Sequence, residues 1–207
     1  MATILRDLSY RYQWLYDSVS RLAALSVGGE RRFRQLALDG LTIQPAMKVL
    51  DLCCGSGQTT QVLVERSQHV TGLDASPFSI KRAQHNVPQA TYVEAFAEAM
   101  PFPDQSFDLV HTSVALHEME LPQLQKILQE TYRVLRSGGY FTLIDFHAPT
   151  NPIVLPGFYL FLGLFETETA WQLLQINLAI MLQELGFEVL RHTLHAGGSL
   201  QVIQAKK

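Results

Sequence analysis

The chain has 207 residues, of which 47% are hydrophobic and 17% charged, and its formal net charge is -3. That is enough apolar material for one full core and argues against disorder, while the mild acidity excludes a chain that holds nucleic acid by bulk electrostatics. The most apolar run, "IVLPGFYLFLGLF" (153–165), falls short of the roughly 20 residues that span a bilayer.

In chain order, apolar residues at helical spacing (Tyr12, Leu15, Tyr16, Val19, Leu22, Ala23) predict a helix over 9–27. A second helix is expected over 30–39, ending near Gly40. "MKVLDL" (47–52) is a continuous apolar run and fits a buried parallel strand. A helix follows over 58–66, then a strand over 69–74 and a helix over 76–86 that opens on Ser76-Pro77. "ATYVEA" is a third strand, "PFPDQS" a turn and 107–113 a fourth strand. A helix over 121–136 stops at Gly138-Gly139, and 140–146 is a fifth strand. The stretch 148–167 is apolar and interrupted, neither strand nor obvious helix, and 168–185 reads as one helix. "FEVLRHTL" and "SLQVIQA" form a closing hairpin around Gly197-Gly198. Strands alternating with helices imply an α/β fold with a seven-stranded, mostly parallel, doubly wound sheet, helices on both faces and an antiparallel edge hairpin at the C-terminal end. No long apolar leader opens the sequence, so no secretory signal is expected. Cys53 and Cys54 are adjacent, too close to bridge readily and too few for a zinc site. A reducing cytoplasmic compartment without a bound metal is expected.

"VLDLCCGSGQTT" (49–60) combines a glycine turn with an acid, Asp51. Gly55 and Gly57 permit close backbone approach to a ligand at the carboxyl end of the first strand. Thr60 stands where a dinucleotide loop has its third small residue. A carboxylate at the mouth of the loop disfavours a pyrophosphate and suits an ammonium group. S-adenosylmethionine offers an ammonium and a sulfonium without phosphate, and Asp74, ending the second strand, is placed to accept from its ribose hydroxyls.

With these segments in order, the chain resembles the class I S-adenosylmethionine-dependent methyltransferases. "VLDLCCGSG", "GLDAS", "AEAMPFPDQSFDLVHTS" and "RVLRSGGYFTLIDF" carry the resemblance over about 45–146. Within them it is most similar to the ubiquinone and menaquinone biosynthesis C-methyltransferases, through "YDSVSRLAALSVGGERRFRQLAL" and "HAGGSLQVIQAKK". The resemblance implies a Rossmann-like fold and one methyltransferase domain over 1–207: N-terminal helices (1–40), a cofactor core (45–146), a substrate-side cap (148–180) and the closing hairpin (187–205). It implies S-adenosyl-L-methionine as cofactor, with contacts at Asp51, Cys53, Gly55, Gly57, Asp74, Ala75, Ala97, Glu98, Thr112 and His117. Cys53 replaces the family's first glycine and is expected to stay in the β region. Phe96 replaces an adenine-binding acid or amide, leaving backbone near Ala97 for that task.

His117 and Glu118 follow the fourth strand and His147 the fifth, at the rim where this fold places its chemistry; His117 and His147 are the candidate catalytic residues. A neutral imidazole at His147 suits removal of a proton from a phenol or quinol. Tyr10, Tyr12, Trp14 and Tyr16 are helix anchors or line a substrate entrance. The segment 153–165 is core, an apolar lid or a membrane-surface contact; as a lid, 151–165 lies over the pocket, with Phe158 and Phe161 facing the acceptor. The expected reaction is methyl transfer to a small or lipid-like apolar acceptor such as a quinol precursor, with peripheral membrane contact and no nucleic acid. The rivals are a non-catalytic cofactor-binding protein and, less favoured by Asp51 and Thr60, an NAD-type oxidoreductase.

Overall fold

The computed structural model describes residues 24, 25 and 27–207. The helix expected over 9–27 falls almost wholly outside them, as do Tyr10, Tyr12, Trp14 and Tyr16.

The described chain runs through α1 (Glu30–Gln35), a 3-10 turn (Leu36–Leu38), β1 (Lys48–Leu52), α2 (Gln58–Val64), β2 (His69–Asp74), α3 (Pro77–Asn86) and β3 (Thr91–Glu94). It continues through β4 (Phe107–Ser113), a 3-10 turn (Leu116–Glu118), α4 (Leu121–Val134), β5 (Leu135–Phe146), α5 (Leu155–Phe165), α6 (Glu168–Leu173) and α7 (Leu178–Glu184). Strands β6 (Glu188–His195) and β7 (Leu200–Lys206) close it around the turn Ala196–Gly198. One seven-stranded sheet results, in the order β3-β2-β1-β4-β5-β7-β6. Strands β1 to β5 pair in parallel, and β7 runs antiparallel to both β5 and β6. The expected Rossmann-like, mostly parallel sheet with an antiparallel C-terminal edge is therefore what forms.

Central strands are apolar on both sides because helices cover both sides. One face buries Leu50, Leu52, Leu73, Val110, Phe141 and Leu143 against α4 and α7. The other buries Val49, Val70 and Leu109 against α2, and Ile144, Phe146 and Val202 against α1 and α5. Helix α4 buries Leu124, Ile127, Leu128, Thr131 and Val134, a helical spacing that makes one apolar stripe. Ser76 caps α3, accepting from the Ser79 amide at 3.3 Å.

Three boundaries differ from those read in the sequence. Strand β5 begins at Leu135, directly after α4, rather than at 140. The single helix predicted over 168–185 is two, α6 and α7, because Asn177 turns the chain and caps α7, accepting from the Ile180 amide at 3.1 Å. The interrupted segment contains a regular helix, α5: Pro156 sits in its first turn, where a missing amide costs nothing, and Gly157 and Gly163 have open space around them. The inner residues of α5 are core, with Phe158 and Phe161 set edge-on to Phe146 at 5.9 and 6.0 Å. Both rings are partly buried and pack the helix against the sheet. Helix α6 adds Ala170 to one core and Leu173 to the other, so α5 and α6 cap the carboxyl end of the sheet. The cap closes on the β6–β7 turn through amides of Thr150 and Asn151 donating to the Gly197 carbonyl at 3.0 and 2.9 Å. A Cβ at Gly198 (φ 89°) would land on Thr150, so only glycine fits that contact. Among the described residues no helix is long and apolar enough to cross a membrane.

Candidate functional site

Strand order reverses between β1 and β4, and a crevice at that switch point is where an open α/β sheet receives a ligand. The loop after β1 (53–57) and the turn after β4 (114–118) flank it. The β1 loop is fastened to β2. Cys54 donates its amide to the Leu73 carbonyl at 3.0 Å, and Gly55 donates its amide to Asp74 Oδ2 at 2.9 Å. Asp74 Oδ1 accepts from the Ser76 amide at 2.9 Å. Each carboxylate oxygen thus holds one amide and keeps lone-pair capacity for a further donor. Gly57 opens α2 at φ 89°, and a side chain there would press on Val87 and Ala83 of the neighbouring helix segment.

Asp51 differs from its expected place at the mouth of the loop. It is 1% exposed, sunk in β1, and Thr60 Oγ1 donates to its Oδ2 at 2.5 Å. Burial, set against the bonds from Thr60 and the charge of Arg34, pushes its carboxyl up to about 7. Thr60 is therefore no failed small residue; its hydroxyl serves the acid.

Cys53 is corrected outright. It takes φ 58°, the left-handed region, instead of the β region. The loop needs that dihedral whichever residue fills the position, and a side chain there costs roughly 1–2 kcal/mol. Burial, reinforced by Asp74, Asp51, Glu118 and Glu98, pushes its thiol up; burial does the same to Cys54. Both stay thiols and serve packing. Cys53→Gly is expected to be at least as stable as the parent. Cys53→Val should be less stable than Cys53→Gly by about 1–2 kcal/mol, because a β-branched residue tolerates that dihedral worst. Urea unfolding of the pair measures the difference.

The other candidates scatter around the same edge. Ala75 is exposed just past Asp74. Ala97 is buried in the core, so only its backbone is free to meet a ligand, and Phe96 stands 64% exposed beside it. Glu98 Oε1 accepts from Gln123 Nε2 at 3.1 Å. Thr112 is buried at the end of β4, and its hydroxyl has no hydrogen-bond partner among the described residues. His117 is buried rather than on an open rim: Nδ1 lies 2.8 Å from Asp145 Oδ1, and Nε2 lies 3.5 Å from Glu166 Oε2. His147 lies apart, its Nδ1 donating to the carbonyls of Ala148 at 2.8 Å and Gly198 at 3.0 Å. In the neutral ring those bonds select the tautomer that leaves Nε2 as an acceptor. The structure thus brings Asp51, the 53–57 loop, Asp74 and the β4 end to one edge, but does not pair the two histidines with each other.

Sequence reading took Thr60 only as a missing small residue, not as a partner of Asp51, and missed Asp145 and Glu166. Asp145 had a signal, as an acid inside the apolar run "YFTLIDF"; such a residue is buried only with partners. Glu166, in "FETET", had none.

A model of a methyltransferase domain matches residues 49–139. A protein of Synechocystis sp. named as an uncharacterised methyltransferase is 58% identical over 206 residues, covering 100% of this chain and 97% of its own. A demethylmenaquinone methyltransferase of Listeria monocytogenes is 31% identical over 196 residues, covering 81% of each chain. Among solved structures, a SAM-dependent methyltransferase from Aquifex aeolicus superposes with a TM-score of 0.67 at 19% identity, covering 92% of this chain and 95% of its own.

Proposed function

We propose a function from one premise: the chain belongs to the S-adenosylmethionine-dependent methyltransferases. It is an enzyme, and S-adenosyl-L-methionine is its cofactor. Our reading is that it methylates a small or lipid-like apolar acceptor of the quinol type.

The observation that carries the site is Asp51, a buried carboxylate bonded by Thr60 and still pushed up to about 7. Such a group gains from a cationic neighbour, and the cofactor's α-ammonium is one. In this reading Asp51 meets the ammonium, the backbone of Cys53, Gly55 and Gly57 gives the cofactor room, and Asp74 accepts from the ribose. Ala75, the backbone at Ala97, Glu98 and the unpartnered Thr112 hydroxyl line the rest. The cofactor supplies an electrophilic methyl group, and the protein supplies proximity and orientation. If the acceptor must lose a proton, His147 is the base, since its Nε2 is free to accept. His117 does not fit that task, having both ring nitrogens against carboxylates.

The acceptor class rests on two supports. Relatives at 31% identity are named for demethylmenaquinone. The cap also exposes Ile153, Leu160 and Leu164, and 148–176 contains no lysine or arginine. Such a surface suits an apolar molecule or its lipid surroundings.

A thermal-shift screen tests the cofactor assignment. S-adenosylhomocysteine at 100 times its dissociation constant should stabilise the protein by about 2.7 kcal/mol, while NAD should leave it unchanged. Stabilisation by NAD alone overturns the site. For the acceptor, methyl incorporation from labelled cofactor into a panel of naphthoquinols, phenols and polar amines should favour the quinols; incorporation only into amines rejects them.

A further inference from the structure

Asp145, His117 and Glu166 stand on three different parts of the chain: the end of β5, the turn after β4, and the junction of α5 with α6. Asp145 is fully buried and surrounded by donors. Its Oδ1 accepts from the Phe146 amide and from His117 Nδ1, both at 2.8 Å; its Oδ2 accepts from the amides of Leu116 at 2.8 Å and Ala115 at 3.2 Å. These bonds hold a turn that resists its own shape, for Val114 sits at φ 54°, where β-branched residues rarely go. The His117 ring lies on Phe146 with centroids 4.3 Å apart, and its Nε2 reaches the cap at Glu166. Glu166 ends α5, its amide donating to the Leu162 carbonyl at 2.9 Å. A donor toward each carboxylate requires both ring nitrogens protonated. Burial works against that charge, but Asp145 and Glu166 outweigh it and push the imidazole up to about 10.

The turn after β4 also borders the cofactor loop. Strand β4 pairs with β1, so 114–118 emerges beside 53–57, and the Glu118 charge is among those acting on the Cys53 thiol. We propose that His117 is a positioning residue that couples the cap to the cofactor site: bridging Asp145 and Glu166, it passes the state of the turn after β4 to α5 and α6. The coupling rests on the methyl-transfer reading above, since the cofactor is what settles the turn. The bond to Asp145 is short and the contact to Glu166 long, so the cap side is the half that yields. An acceptor held under the cap then meets the methyl group at a fixed height only when the cofactor is in place.

Backbone hydrogen exchange, with and without S-adenosylhomocysteine, tests this in the full chain. In the parent, the ligand should slow exchange at least tenfold in 114–118 and also in 155–173. In Glu166→Gln, the turn should still respond while the response of 155–173 falls below twofold, with the dissociation constant changed less than threefold. His117→Gln should lose the cap response, and His117→Arg, which keeps a cation with donors for both carboxylates, should regain it. In a Trp14→Phe background, Trp171, stacked on Tyr159 at 5.3 Å, gives a second readout through acrylamide quenching. A cap that never responds in the parent overturns the coupling. So does a response kept in Glu166→Gln, or one lost only together with protection of β1–β5. If His117→Gln does not fold, the Glu166→Gln comparison decides alone. Failure of the parent to bind S-adenosylhomocysteine in calorimetry is a separate result: it defeats the methyl-transfer reading and, with it, the cofactor's part in the coupling.

Discussion

Replacing Asp74 with alanine should lower the affinity for S-adenosylhomocysteine about a hundredfold or more, if the carboxylate holds the ribose as proposed. Two losses combine. The ribose hydroxyls lose a charged acceptor, and hydrogen bonds to charged groups are worth about 1.5–3 kcal/mol each. The Gly55 amide loses its anchor as well, since Asp74 Oδ2 accepts from it at 2.9 Å, so the loop that meets the cofactor is released from β2. About 3 kcal/mol in total corresponds to roughly two powers of ten in the dissociation constant. Asp74→Asn should fall between parent and alanine, because one oxygen remains to accept. Calorimetry gives the affinities, and circular dichroism shows that the variants fold. An Asp74→Ala protein that folds and binds within threefold of the parent removes this residue from the site.

The affinity for S-adenosylhomocysteine should also climb about tenfold per pH unit from pH 5.5 to near 7 and then level off. In the proposed site the ligand's ammonium meets Asp51 as a carboxylate, while in the free protein burial holds that carboxyl protonated up to about 7. Binding below that pH must release a proton, and that release is the slope. Stability of the free protein moves the other way. The folded-state value lies above the unfolded one of about 4, so the folded chain keeps a proton the unfolded chain has given up, and this contribution is lost as pH rises from about 4 to about 7. Two buried histidines do not confuse the window. Burial pushes His111 down to about 3, and His117, despite burial, is pushed up to about 10 by its carboxylates. Asp51→Asn should flatten the binding profile at a lower affinity. A profile in Asp51→Asn with the parent's slope would assign the proton to another group.

The parallel core was legible because fully buried strands leave a plain mark: β1, β2 and β4 are apolar runs between turn residues. Asp51 and Asp74 were legible for the same reason, as acids at or near the ends of such runs. Dihedrals were less so. Cys53, standing in the family's first-glycine position, was expected to stay extended, yet it takes a left-handed dihedral before the turn at Gly55. In α5, Pro156 and the two glycines looked like interruptions, but a first-turn proline starts a helix, and the anchoring comes from Phe158, Leu162 and Phe161. The Asp145–His117–Glu166 bridge was out of reach for a different cause. Its members are joined only by tertiary folding, and nothing near Glu166 marks it as the partner of a residue almost fifty positions earlier.

The position of β7 between β5 and β6 bears on how the protein is made. A ribosome releases β6 before β7 exists, so for a time β6 has no neighbouring strand and β5 has an open edge. At about 5–20 residues per second, that interval is on the order of a second. Glu188, Arg191, His192, Thr193 and His195 keep that unpaired strand from being uniformly apolar while it waits. The late arrival is the better buried of the two, with Leu200 to Ala205 all shielded, and the side chain of Lys207 just beyond it reaches back to the carbonyls of Tyr132 and Leu135 at 2.5 and 2.8 Å. A message cut short before Leu200 would therefore encode every cofactor contact proposed above and still leave this sheet unfinished, because β7 is what joins β6 to β5.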